Sequence, residues 1–98
     1  MLTCLAAYAL STVIRQQVAH NPWESQVFYQ IFPRSYRDSN GDRIGDFKGI
    51  IEGLPTIQKL GCTAILLNPI QKARVYHNYF ADDWMDVDPQ FGSLNDFD

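Results

Sequence analysis

The sequence is poor in the features that let a very small chain stand as a covalently stapled or membrane-borne unit. It holds two cysteines in 98 residues, Cys4 and Cys62, which make neither a disulfide framework nor a metal-ligand spacing. Cys62 opens an apolar run through residue 67, so its thiol is expected to be buried as a small hydrophobe. No apolar stretch approaches the roughly 20 residues needed to cross a bilayer. Basic charge is also scarce: eight Lys and Arg face eleven Asp and Glu, for a net charge of −3. With no basic stripe to neutralise phosphates, nucleic acid drops out as a partner class. What remains is ordinary globular composition, 46% apolar and 19% charged, in a length that suits one small domain.

Residues 1–20 read as a leader. Residues 2–10 are apolar and small, and Ala7-Tyr8-Ala9 and Val18-Ala19-His20 offer cleavage contexts, but the basic segment that opens a secretory signal is missing. Two readings stand: a signal short of its first residues, which would make the protein secreted or periplasmic, or a plain extension on a cytoplasmic one. Asn21-Pro22 ends the leader, and residues 23–98 are expected to form the folded part.

Residues 26–32 (Gln-Val-Phe-Tyr-Gln-Ile-Phe) are rich in β-branched and aromatic side chains and stop at Pro33. Their near-continuous apolar character predicts a strand buried on both faces. A polar loop is expected over residues 34–46. Phe47, Ile50, Ile51, Leu54, Ile57 and Leu60 then recur at helical spacing, with Gly61 as the stop. Pro55 predicts a break near Gly53-Leu54 and a second short helical segment. Residues 62–67 read as a second buried strand closed by Asn68-Pro69. Strand, helix and strand make a βαβ unit of the α/β class, with a parallel sheet. Residues 71–92 lose periodicity and read as a long functional loop. Ser93 to Asp96 has the spacing of a capping box. That helix start, so near the last residue, and a sheet of two strands both suggest a truncated domain.

The most specific chemistry lies in Asp38-Ser39-Asn40-Gly41-Asp42-Arg43-Ile44-Gly45-Asp46. Oxygen donors alternate at Asp38, Asn40, Asp42 and Asp46, with the Ile44 carbonyl between the last two, as a hard cation such as calcium requires. An EF-hand loop would need Gly at its sixth position and Glu at its twelfth, where Arg43 and Gly49 stand, and it would follow a helix. A solvated acidic turn is the plain alternative, because Asp, Asn and Gly are the residues turns favour.

The run from Val27 to Tyr36, continued by Asp38-Ser39-Asn40-Gly41-Asp42, Ile44-Gly45-Asp46 and Gly49-Ile50, resembles the α-amylase family of glycoside hydrolases. Ala64-Ile65-Leu66-Leu67-Asn68-Pro69-Ile70 is similar to that family's second strand. Tyr76-His77-Asn78-Tyr79-Phe80, Asp83-Trp84 and Asp88-Pro89-Gln90-Phe91-Gly92-Ser93 are similar to the loop that follows it. The resemblance implies the N-terminal βαβ portion of a (β/α)8 TIM barrel, about two of its eight repeats. It implies action on α-linked glucans, starch or maltooligosaccharides, by a retaining mechanism, and a calcium ion on Asp38, Asn40, Asp42, Ile44 and Asp46. It implies sugar binding by Tyr79, through stacking, and by His77, through a hydrogen bond. The family's catalytic carboxylates belong to its fourth, fifth and seventh strands, so no catalytic residue is expected here, and these residues alone are expected to be inactive.

Asn78 departs from the glycine usual between the two sugar-binding residues, which opens the local backbone to question. Asp82, Asp83, Asp86 and Asp88 read as solvated or capping aspartates rather than a catalytic pair. Two non-enzymatic readings compete: an amylase-like ectodomain of the amino-acid-transporter heavy-chain type, and a small calcium-binding module.

Overall fold

The computed structural model describes residues 23–98; the leader, its cleavage contexts and Cys4 lie outside the described residues. Along the chain run β1 (Phe28–Ile31), α1 (Pro33–Tyr36), α2 (Phe47–Lys59), β2 (Ala64–Leu67), β3 (Gln71–Ala73), β4 (Ala81–Val87) and α3 (Leu94–Phe97). β1 and β2 pair in parallel, Phe28 opposite Ala64 through Ile31 opposite Leu67, and α2 is their crossover. The expected βαβ unit is therefore present. No described helix is long and apolar enough to cross a membrane.

Side-chain and backbone bonds fix both ends of the parallel pair. At the amino end the Val27 N–H donates to the Thr63 hydroxyl oxygen (2.9 Å), and the Thr63 N–H donates to the Val27 carbonyl (2.9 Å). At the carboxyl end the Asn68 N–H donates to the Ile31 carbonyl (2.8 Å). Strand alternation sends Tyr29, Ile31 and Leu67 to one face, where they pack with Phe47, Ile50 and Ile57 of α2 and with Val87 and Phe91. Phe28, Gln30 and Leu66 take the other face and are exposed. Burial on both faces, expected for β1 and β2, is thus not found. A single helix covers one face, and no described element covers the other. Cys62 is half-buried at the margin of the core rather than inside it.

The helix corrects a second expectation. α2 runs unbroken through Pro55 instead of dividing at Gly53-Leu54. Ile50, Gly53 and Ile57 form one buried stripe, and a break would take half of it off the sheet. Ile51, whose carbonyl Pro55 cannot serve, is exposed, so solvent can satisfy it. Burying the stripe outweighs an interior proline that costs about 3 kcal/mol. Gly61 follows with φ 90°, as the stop signal required.

The supposed loop over residues 34–46 begins as one helical turn, α1. Glycines let it approach the rest closely. A side chain at Gly45 would collide with the Pro33 carbonyl, and one at Gly49 with the Arg37 carbonyl. Residues 71–92 also hold more structure than expected. β3 and β4 form an antiparallel ribbon with irregular register between Gln71, Lys72 and Ala73. β4 reads Ala-Asp-Asp-Trp-Met-Asp-Val, and its three aspartates hid it from propensity. The capping box at Ser93 and Asp96 is formed, with the Ser93 N–H donating to the Asp96 carboxylate at 2.9 Å.

Replacing Pro55 by Ala restores a helical donor and relieves the ring's clash. The Pro55→Ala chain is expected to be more stable by about 2 kcal/mol, the interior-proline cost less the entropy that proline removes from the unfolded chain. Urea titration of both chains checks this, and an unchanged midpoint would show that α2 already bends to fit the ring.

Candidate functional site

Two features are built on this frame: the acidic loop between α1 and α2, and a cluster of rings at the carboxyl ends of β1 and β2.

The acidic loop is a succession of side-chain-to-backbone turns. Asp38 Oδ1 accepts from the N–H groups of Asn40 (3.0 Å) and Gly41 (2.8 Å), and its Oδ2 accepts from Arg43 (2.7 Å). Asn40 Oδ1 accepts from the Asp42 N–H (3.0 Å), and Asp42 Oδ1 from the Ile44 N–H (2.8 Å). Gly41 and Arg43 take positive φ, 83° and 72°, which curls the segment back on itself. These bonds, that from Arg43 foremost, hold the Asp38 carboxyl below its ordinary value. Among the described residues no three His, Cys, Asp or Glu side chains gather into a metal-holding group. The loop presents a mixed row of carboxylate, amide and carbonyl oxygens instead.

Asp46 ends the loop and begins α2. It is buried, and as N-cap its Oδ1 accepts from the Gly49 N–H (2.7 Å) while its Oδ2 accepts from the Ser39 N–H (3.0 Å). Burial raises its pKa, and the charge of Asp38 adds to that, but the Gly49 and Ser39 bonds outweigh both and the net shift is downward. The cap role was missed, although Asp directly before the first residue of an apolar-periodic run is a helix-start signal.

The ring cluster lies on the segment between β3 and β4. His77 sits 5.7 Å from Tyr79, 5.5 Å from Tyr76 and 5.5 Å from Phe80, centroid to centroid. The Tyr79 N–H donates to His77 Nδ1 (3.1 Å), so the neutral imidazole carries its proton on Nε2 and can donate from there. The two predicted sugar-binding residues are therefore together, with Tyr79 59% exposed. The Tyr79 hydroxyl accepts from the Asn68 amide (3.4 Å), whose oxygen accepts from the Gln30 amide (2.9 Å). Gln30 and Asn68, which the sequence did not single out, thus hold Tyr79 against the ends of β1 and β2. That is where parallel α/β sheets place ligands.

Asn78 resolves the question raised by its departure from glycine. It adopts φ 59°, a left-handed conformation that Asn tolerates better than other side chains. Its amide nitrogen donates to the Gln71 carbonyl (2.8 Å) and to Asp88 Oδ2 (2.8 Å). Arg34 braces the same segment from α1: its Nε donates to the Tyr76 carbonyl (2.9 Å), and its guanidinium lies about 6 Å from the Tyr76 and Phe91 rings.

The aspartates of β4 are structural. Asp82 takes a two-pronged pair with Arg74, Asp83 accepts from the Met85 N–H, and Asp86 accepts from the Val87 N–H. Asp88 is buried rather than solvated, and it also accepts from the Gln90 N–H.

Asp38, Asp46 and Asp96 all have folded-state pKa values held below the ordinary 3.8. Their contribution to stability is therefore complete above about pH 4 and fades as pH falls through the lowered values. Urea titrations in chelator are expected to give flat stability from about pH 7 to 5 and a decline below about pH 4. In Asp46→Asn that decline should be shallower, and an equal decline would mean that Asp46 is not one of its sources.

Comparison with known proteins gives the chain's family and relatives. The family model described as alpha amylase, catalytic domain, matches residues 30–98. Maltase 1 of Drosophila virilis is 49% identical over 79 residues, covering 80% of this chain and 12% of the relative. Alpha-amylase 3 of Dictyoglomus thermophilum is 37% identical over 98 residues, covering 98% of this chain and 20% of the relative. The solved structure of Eubacterium rectale Amy13B superposes with TM-score 0.72 at 44% identity, covering 74% of this chain and 14% of that one. The chain thus spans no more than a fifth of these relatives' length.

Proposed function

The chain belongs to the α-amylase catalytic-domain family, and from that premise we propose that the protein is a retaining glycoside hydrolase acting on α-linked glucans, starch or maltooligosaccharides. Its βαβ unit is then the opening portion of the family's (β/α)8 barrel. The observation that carries the reading is the exposed Tyr79 ring beside His77 at the carboxyl ends of β1 and β2. An aromatic face suits the apolar C–H face of a pyranose, and His77 Nε2 can donate to a sugar hydroxyl. Tyr79 and His77 are the substrate-binding residues of this proposal.

Retaining hydrolysis needs two carboxyl groups about 5–5.5 Å apart across the scissile bond. The carboxylates near the ring cluster are instead tied to an arginine, to backbone N–H groups or to Asn78. We assign no catalytic residue within residues 23–98. The purified 98-residue chain is expected to release no reducing sugar from starch or maltooligosaccharides, and release above a buffer control would overturn this placement of the chemistry.

The proposal includes a calcium ion on Asp38, Asn40, Asp42 and Asp46 and the Ile44 carbonyl. Every donor is oxygen, as a hard cation prefers. The three carboxylates, whose oxygens are turned to backbone N–H groups, are not gathered into one group, so binding would have to draw them together. Bound there, the ion supplies positive charge against three carboxylates, of which Asp38 already disfavours ionisation of Asp46. Calcium at about a hundredfold its Kd is expected to stabilise the chain by about 2.7 kcal/mol. Asp42→Asn keeps an oxygen for the Ile44 N–H but removes a charge, and should weaken that gain. Thermal melts in calcium and in chelator provide the check; equal melts for the unsubstituted chain would leave the loop an acidic turn.

A further inference from the structure

We infer that Asn78 is a positioning residue, holding the His77–Tyr79 pair in the geometry that meets the ligand; this rests on reading that pair as one wall of a sugar site. Asn78 stands between the two residues in sequence, so its backbone angles set the direction of both. Its side chain is 1% exposed and reaches away from the pair to two anchors. One is the Gln71 carbonyl in β3 and the other is Asp88 just beyond β4, both at 2.8 Å. Asp88 is itself 3% exposed, and its N–H donates to the Ile70 carbonyl at 2.7 Å. The amide thus bolts the segment bearing His77 and Tyr79 to both roots of the ribbon.

The amide's own oxygen indicates what the side chain is kept for. Asn78 Oδ1 is buried with no hydrogen-bond partner among the described residues, an uncompensated desolvation cost. Both neighbours of the amide nitrogen are acceptors, so reversing the amide would face oxygen with oxygen. A glycine would supply the left-handed backbone without this deficit. The gain that offsets it is the pair of bonds made by the nitrogen, and their effect is to fix the segment. The Tyr79 N–H to His77 Nδ1 bond (3.1 Å) spans Asn78 and reports whether that geometry persists.

Asn78→Gly keeps the backbone conformation and removes both anchors, and maltose serves as the probe. In the whole protein, with the rest of the barrel present, proton–nitrogen NMR is expected to show the Tyr79 amide and His77 ring signals shifting as their bond is lost. Maltose affinity should fall about tenfold, because binding must then order a segment that the two bonds no longer hold. Asn78→Asp alone sets two carboxylates together, whereas Asn78→Asp with Asp88→Asn restores a donor and acceptor and should recover part of the affinity and the Tyr79 signal. Unshifted signals and undiminished affinity in Asn78→Gly would overturn the inference. So would loss of cooperative melting in both Asn78→Gly and the exchanged pair, which would make the residue structural only. If the unsubstituted whole protein binds no maltose while Asn78→Gly still loses the Tyr79–His77 signature, the positioning role stands and the sugar reading falls.

Discussion

The buried carboxylate of Asp46 is the joint on which the described structure turns. It takes one N–H from the first turn of α2 and one from the start of the acidic loop, while its own N–H donates to the Arg37 carbonyl beyond α1. Burial alone would push such a carboxylate toward its neutral form, and two charge-assisted bonds reverse that tendency. The next residue, Phe47, donates its N–H to the Phe91 carbonyl at 2.8 Å and packs its ring against Phe91 and Phe97. Two adjacent residues therefore connect loop, crossover helix and the turn after β4. The core, the acidic loop and the start of α3 all take their positions from this point.

From there the frame reaches the ring cluster by short routes. Arg34 extends from α1 to the Tyr76 carbonyl, and the Gln30–Asn68–Tyr79 series extends from the open face of the sheet. Each route ties a residue with an exposed aromatic to a side chain held by α1 or β1. An exposed ring on an unsupported loop would sample many orientations, and binding would have to order it at a cost of about 0.5–1.5 kcal/mol per side chain. Supporting bonds move that cost into folding.

Much of this was legible in the sequence wherever the signal was local and periodic. The apolar spacing from Phe47 to Ile57, the Gly61 stop, the two short apolar strands and the Ser93 to Asp96 box are each set by neighbours within a few residues. The acidic loop was legible for the same reason, as alternation of oxygen donors along a turn. What escaped depended on partners far along the chain. The unbroken α2 needed knowledge of which stripe is buried, and that decides whether a proline is tolerated. β4 is stabilised by pairing with β3 and not by its own propensity. Gln30 and Asn68 are 38 residues apart, and nothing in either stretch marks the other. The resemblance named His77 and Tyr79, but only geometry shows why Asn78 can stand between them.

The side-chain hydrogen bonds of the acidic loop span at most seven residues, whereas the support of Tyr79 joins positions 30, 68 and 79. Local closures form faster than distant ones, because less chain entropy is lost in making them. On a ribosome extending the chain from its amino end, the loop is complete before Asn68 or Tyr79 has been synthesised. The order of synthesis therefore gives the acidic loop a head start over the ring cluster, so that the locally closed part of the molecule stands ready when the distant contacts arrive.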